Sequence, residues 1–188
     1  MDINGSDYAD IPDDYFTHSS CISCLYWENG STSKAQKTEE KEAEKRRWFN
    51  RISLVFGPSG KLAYQNGIVV GWAQYAPRSC FPKASAYHTT PSDDAYLISC
   101  LAIRPEYRHR GIGEILLRAI IDYLRARGLK AVETFARKEN ANNPSGPVEL
   151  YLKAGFRTKS DDEFIPLLRL ELDKAPTQNM SIQSFSRI

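Results

Sequence analysis

Residues 107–114 read Y-R-H-R-G-I-G-E, between an apolar run, YLISCLAIRPE, and an amphipathic one, ILLRAIIDYLRARG. With Arg104 just upstream, Arg108, His109, Arg110, Gly111 and Gly113 crowd the place where a strand should hand over to a helix. At such a turn backbone N–H groups and the positive end of the helix dipole converge, and glycine lets an anion come close to the backbone. Arginines add charge-assisted donors. The chemistry served is the holding of phosphate oxygens. Neither common nucleotide loop fits, because Leu116 stands where the dinucleotide fingerprint needs its third glycine and no Gly-Lys-Ser/Thr follows.

Glu133 is the second residue singled out, a carboxylate inside the apolar and small-residue run KAVETFAR. Burying it is costly unless it has a partner. It is therefore an acid–base group, half of an ion pair with Arg137 or Lys130, or an alternating residue that faces solvent. His88, Asp93 and Asp94 are alternative bases. Cysteines stand at 21, 24, 80 and 100, the first two as C-I-S-C. A zinc site there would have to recruit two more ligands from Cys80, Cys100, His18 or His88. The pair lies outside any strand-to-helix turn, so a redox role is not favoured either. Free thiols and no bound metal are the expectation.

The elements that must position these residues follow from pattern. KLAYQ-NG-IVVGWAQYAP is a hairpin, since Asn66-Gly67 supplies the positive φ values of a two-residue turn. Ala95 to Ile103 is apolar throughout, as a buried central strand would be. Residues 114–127 carry Ile115, Leu116, Ala119, Ile120, Tyr123 and Leu124 at helical spacing, with Gly128 as the stop, and KAVETFAR is the next strand. Strand, helix and strand with short links form a βαβ unit, so the two strands should run parallel. NNPSGP leads into a short helix over VELYLKAGF, and FIPLLRLEL is a last strand whose Pro166 suggests an edge or a kink. Upstream, Ser31 to Phe49 predicts a charged, solvated helix with Trp48, Phe49, Ile52 and Leu54 as its docking side chains. Pro77 to Asp94 is a long irregular loop. The predicted organisation is an irregular arm with the C-x-x-C over 1–30, one domain over 31–173 and a polar tail over 174–188.

At 188 residues a single domain is expected, and 25 basic against 23 acidic side chains leave a net charge of +2. That balance argues against a protein that coats nucleic acid or membrane. No apolar run approaches the ~20 residues of a bilayer span, and the first twenty residues do not look like a secretory signal. A soluble, cytoplasmic protein is predicted.

The stretch L-A-I-R-P-E-Y-R-H-R-G-I-G followed by an amphipathic helix resembles motif A of the GNAT superfamily of acyl-CoA-dependent N-acyltransferases. Its core, [QR]-x-x-G-x-[GA], falls on Arg108, Gly111 and Gly113. KAVETFAR is similar to the strand after the motif A helix, and ELYLKAGF to the late helix that ends in Y-x-K-x-G-F. The likeness runs from about Gly60 to Leu172. His109 departs from it, standing where many members carry glycine. The resemblance implies an α/β (α+β) fold, a mixed, mostly antiparallel sheet splayed at two parallel central strands and flanked by helices. It implies acetyl-CoA as co-substrate, with the backbone of Leu101, Ala102 and Ile103 along the pantetheine arm. The N–H groups of Arg108, His109, Arg110, Gly111, Ile112, Gly113 and Glu114 would hold the pyrophosphate.

One backbone N–H near Cys100 to Ala102 would face the thioester oxygen. Tyr151 matches the family's tyrosine that donates a proton to the departing thiolate, and Glu133 is the candidate base. Asn143, or Asn142, matches an asparagine placed before the late helix. Cys100 borders the thioester position, more as a small buried residue than as an acylated thiol. The implied reaction is direct attack by an amine of a small molecule or peptide in a ternary complex, and a homodimer is compatible with it. The rivals are a GNAT-shaped acyl-CoA-binding or regulatory module that performs no transfer, and a zinc-stabilised adaptor built on the C-x-x-C pair.

Overall fold

The computed structural model describes residues 2–3, 11, 20–29, 37–138 and 144–172. Asn142 and Asn143, His18 and the tail from residue 173 lie outside the described residues. The elements, in chain order, are β1 (Asp2–Ile3), α1 (Tyr26–Asn29), α2 (Thr38–Phe56), β2 (Gly60–Gln65), β3 (Ile68–Pro77), β4 (Ala95–Ile103), α3 (Ile112–Ala126), β5 (Ala131–Phe135), α4 (Val148–Lys153), β6 (Arg157–Ser160) and β7 (Leu167–Glu171). Among the described residues the sheet has seven strands in the order β1-β2-β3-β4-β5-β7-β6, with β4 and β5 parallel and the other neighbours antiparallel. This is the mixed, mostly antiparallel α/β sheet expected.

The hairpin closes on Asn66 (φ 52°) and Gly67 (φ 78°), the positive pair that its sequence requires. Alternation along β3, β4 and β5 sends side chains to two cores. One holds Trp27, Trp48, Phe49, Leu97, Phe135 and Leu167 under α1 and α2; the other holds Tyr75, Ile98, Leu117, Ile120, Val132, Tyr151 and Leu168 under α3 and α4.

Asp2–Ile3 pairs with Gly60 and Lys61, and Cys21, Leu25 and Trp27 are buried. Three expectations need correction. In α2, Trp48, Phe49 and Ile52 face the core, whereas Leu54 is 88 % exposed, because it sits two residues past Ile52 and so on the opposite side of a 3.6-residue turn. The same helix is not simply solvated, since Lys45 is buried. Finally, β7 is an interior strand: β6, polar and half exposed over R-T-K-S, takes the edge beside it. Pro166 lies just before the first residue of β7, where a missing N–H costs the ladder nothing.

Candidate functional site

The site begins with a bulge. Gln74 pairs with Cys100 and Tyr75 with Ile98, so Ser99 is an extra residue in β4. A bulge bends its strand, and the ladder to β5 ends at the neighbouring pair, Ile98 with Thr134. Beyond it the two parallel strands diverge. The wedge holds a cleft of about 440 Å³ lined by Leu101, Ala102 and Ile103 from β4, the turn residues Tyr107 to His109 and Gly111 to Glu114, and Gly146, Pro147, Glu149, Leu150 and Lys153 from the α4 side. That volume is of the size of ligand sites.

The turn leads into the N-terminus of α3. Gly111 is the N-cap of α3 in the left-handed conformation (φ 79°), and Ile115 is the first residue to bond back to its carbonyl. The N–H groups of Ile112, Gly113 and Glu114 are the orphans of the first turn, with no side chain capping them. A Cβ on Gly113 would stand 3.7 Å from Leu150 and 3.8 Å from Ile103, the two cleft walls. His109, exposed and at φ 59°, occupies a left-handed conformation that glycine adopts without cost, which is the physical reason for the glycine that many members carry there.

The arginines take separate directions. Arg108 donates from Nε to the carbonyl of Ile103 at 3.0 Å. Arg110 lies over the ring of Tyr107, and Arg104 is 3.9 Å from Glu106; neither lines the cleft.

Along β4, the N–H of Leu101 points into the wedge and donates to the carbonyl of Pro144 at 2.6 Å. Ala102 is one residue on, so its peptide faces Trp72 in β3. It lines the cleft but cannot offer backbone groups to a pantetheine arm, which corrects that expectation and leaves Leu101 and Ile103.

Tyr151 is fully buried just under Gly146, where an added Cβ would stand 3.5 Å from its hydroxyl, and it donates to the Ser145 carbonyl at 2.7 Å. Burial pushes its pKa well above the usual tyrosine value, against a smaller opposing hydrogen bond with Thr134. Cys100 is buried beside the wedge, and desolvation raises its thiol well above the ordinary range, so it is a poor thiolate.

Glu133 points to the other core and is not brought to the cleft. Its carboxylate accepts from the Ser92 N–H (2.8 Å) and hydroxyl (3.0 Å), from Lys159 (2.9 Å) and from Arg169 (2.9 Å). Desolvation works to raise its pKa, but these donors outweigh it and the net shift is downward. Arg169 also holds Asp94, Asp93 pairs with Arg78, and His88 is 3.5 Å from Asp162. The partners of Glu133 are therefore not the nearby Arg137 or Lys130. Of the aromatics around the long loop, Tyr75 and Tyr96 sit in the α3 core and Phe81 and Tyr87 in or against the other, so they line no common pocket. Gly146, Pro147 and Lys153 line the cleft although the sequence did not single them out: NNPSGP signals only a turn, and Lys153 stands inside Y-x-K without a role of its own.

Among the described residues no group of three or more His, Cys, Asp or Glu side chains is placed to hold a metal, and no helix is long and apolar enough to cross a membrane. In comparisons with known proteins, residues 22–156 match the model of the "Acetyltransferase (GNAT) family". The chain is 35 % identical over 83 residues to "Probable N-acetyltransferase camello" of Xenopus tropicalis, covering 44 % of this chain and 36 % of that protein. It is 37 % identical over 57 residues to an uncharacterized N-acetyltransferase of Methanocaldococcus jannaschii, covering 30 % and 24 %. The chain thus spans well under half the length of these relatives.

Solved structures share the fold. An N-acetyltransferase of Staphylococcus aureus aligns with TM-score 0.59 at 18 % identity over 92 % of this chain and 96 % of that one. YncA of Salmonella typhimurium, with its cofactor acetyl-CoA, aligns at 0.58 and 16 % identity over 96 % of each. The PaiA N-acetyltransferase of Thermoplasma acidophilum, in complex with coenzyme A, aligns at 0.55 and 14 % identity over 91 % and 96 %. With a family model matched over residues 22–156, well over half of its length, this chain belongs to the GNAT acetyltransferase family.

Proposed function

We propose that the protein transfers an acetyl group from acetyl-CoA to an amine by direct attack in a ternary complex. The observation that carries this reading is the wedge between β4 and β5, which ends at an uncapped helix N-terminus approached through Gly111 and Gly113. The residues suit the ligand. The orphan N–H groups of Ile112 to Glu114 would take the pyrophosphate. The wedge-facing peptides of Leu101 and Ile103 would lie along the pantetheine arm. The Leu101 N–H is the donor for the thioester oxygen, and to serve it must exchange the Pro144 carbonyl for the ligand. Attack by the neutral amine forms the C–N bond and breaks the C–S bond; the nitrogen releases a proton to solvent, and the thiolate takes one up. Tyr151, kept neutral by burial and one glycine removed from the cleft, is proposed as its source.

We assign Glu133 the anchoring of Lys159 and Arg169 rather than proton removal, because four donors and a lowered pKa make it a weak base. Cys100 gives no support to an acyl-enzyme route.

Calorimetry with acetyl-CoA tests the site, and absence of binding at millimolar ligand would overturn it. Thiol release with a panel of amines tests transfer; binding without release would favour the acyl-CoA-binding or regulatory module. Tyr151→Phe is expected to lower kcat by roughly 100-fold, the scale of general acid catalysis, while the Kd for acetyl-CoA stays within about twofold. Because the hydroxyl also ties down Ser145, a variant that instead weakened acetyl-CoA binding at unchanged kcat would assign Tyr151 to loop positioning.

A further inference from the structure

Two charged side chains meet across the mouth of the cleft, one from each wall. Glu114 is the third residue of α3 and Lys153 closes α4; Nζ of Lys153 donates to Oε1 of Glu114 at 2.7 Å, and both line the cleft with Gly111 and Gly113. Their side chains are 74 % and 47 % exposed for Lys153 and Glu114, and a pair so exposed adds little to stability. Its placement has another consequence. The carboxylate sits in the first turn of α3, beside the orphan N–H groups, where a negative charge is favoured. The hydrogen bond and the charge of Lys153 hold the Glu114 carboxyl below its ordinary range, so it is ionised at neutral pH. In the ligand-free protein Glu114 therefore does what a bound anion would do: it complements the helix end and engages the lysine.

The cleft has few other cations. Among the described residues that line it, the permanently charged ones are Arg108 and Lys153. Arg108 commits its Nε to the Ile103 carbonyl, while Arg104 and Arg110 lie outside the lining. The α3 wall supplies N–H groups and the α4 wall supplies the long-stemmed ammonium of Lys153, paired with Glu114 of the facing wall.

We propose that Lys153 is a phosphate-binding residue of this cleft that takes the pyrophosphate of the coenzyme from the α4 side, and that Glu114 is its resident counter-ion, displaced when the pyrophosphate enters. This rests on the acyl-CoA reading of the cleft. Glu114 thereby sets the affinity from the inside: its carboxylate competes with the ligand both for the lysine and for the helix end. Lys153 adds the second hand that a turn with only one committed arginine lacks.

The test is calorimetry with coenzyme A and with dephospho-coenzyme A, which lacks the 3′-phosphate, on the wild type, Lys153→Gln, Glu114→Gln and the double variant, with the ligand-free melting temperature of each. Lys153→Gln should weaken both ligands alike, roughly fivefold, as loss of one partly exposed charged contact does. Glu114→Gln should tighten both by roughly threefold, and that gain should shrink in the Lys153→Gln background. Ligand-free melting temperatures should stay near the wild type in all variants. Unchanged affinity in Lys153→Gln, or weaker binding in Glu114→Gln, overturns the proposal. A loss confined to coenzyme A places the lysine on the 3′-phosphate and overturns its assignment to the pyrophosphate. A wild type that binds neither ligand fails the acyl-CoA reading itself, which the other arms cannot mimic.

Discussion

At Glu133 a fully buried carboxylate is surrounded by two cations and two donors from Ser92, and its acidity follows from them. The pKa is lowered in the folded protein relative to the ~4.3 of a free glutamate. Below both values the proton is bound in either state and the advantage is gone; above the unfolded value it is fully present. Stability should therefore fall as the pH drops from about 4 through the lower folded value. Glu133→Gln should cost about 1–3 kcal/mol at pH 7, the scale of hydrogen bonds to a charged group, and should flatten that acid limb. Urea unfolding of both proteins at pH 7 and pH 3 measures it, and an equal pH slope in the two would refute the linkage. The residue that looked like a base in an apolar strand is thus predicted to show itself first in stability, with a pH profile for catalysis set elsewhere. Its partners lie 26 and 36 positions away on β6 and β7, beyond what a local pattern can reveal.

Among the elements, α2 is tied to the sheet by a polar contact as well as an apolar one. Lys45 pairs with Glu28 of α1 and donates to Gln74 of β3 at 2.8 Å, all beneath Trp48 and Phe49. Burial works against the ammonium's charge, yet its polar surroundings, the Glu28 carboxylate foremost, together outweigh it and the pKa is raised. Removing one member leaves the other charge buried and unpaired. Lys45→Met should destabilise by about 3–5 kcal/mol, and adding Glu28→Leu should recover a good part of that loss. Thermal unfolding of the two variants distinguishes this from a surface lysine, for which both changes would lie within about 0.5 kcal/mol. A charged run with four-residue spacing read as a solvated helix; the period identified the helix, but not that one lysine of the run would turn inward. Likewise β6 escaped notice because an edge strand with polar residues has no apolar alternation to detect, whereas the hairpin and the βαβ unit announced themselves through local chemistry.

For the whole molecule, both cores meet at β3, β4 and β5, and the wedge opens between two of these strands. A ligand that fills the wedge binds the folded state alone and should stabilise all of it. Coenzyme A at about 100 times its Kd should add ~2.7 kcal/mol, a rise in melting temperature of about 5–10 °C for a chain of this size. Differential scanning fluorimetry against ligand concentration reads it; no rise at a concentration shown by calorimetry to saturate would mean that the unfolded chain binds the ligand as well, and would refute a site that exists only in the folded protein. In the N-terminal segment, Cys21 and Trp27 are buried in the core under α1 and α2.

What the sequence by itself determined were features with local causes. They include the Asn66-Gly67 turn, the apolar β4, the amphipathic α3 and the glycine turn whose Gly111 needs a positive φ. From these the parallel pair and the glycine turn at the end of the cleft follow. Only the tertiary structure decided that Glu133 answers to Lys159 and Arg169, that Lys45 is buried, that Ala102 turns its peptide to β3 and that Lys153 faces Glu114 across the wedge. Each of these depends on which distant strands and helices become neighbours, and on a one-residue alternation that a bulge at Ser99 resets. Such burial and register exist only once the sheet has closed around its two cores.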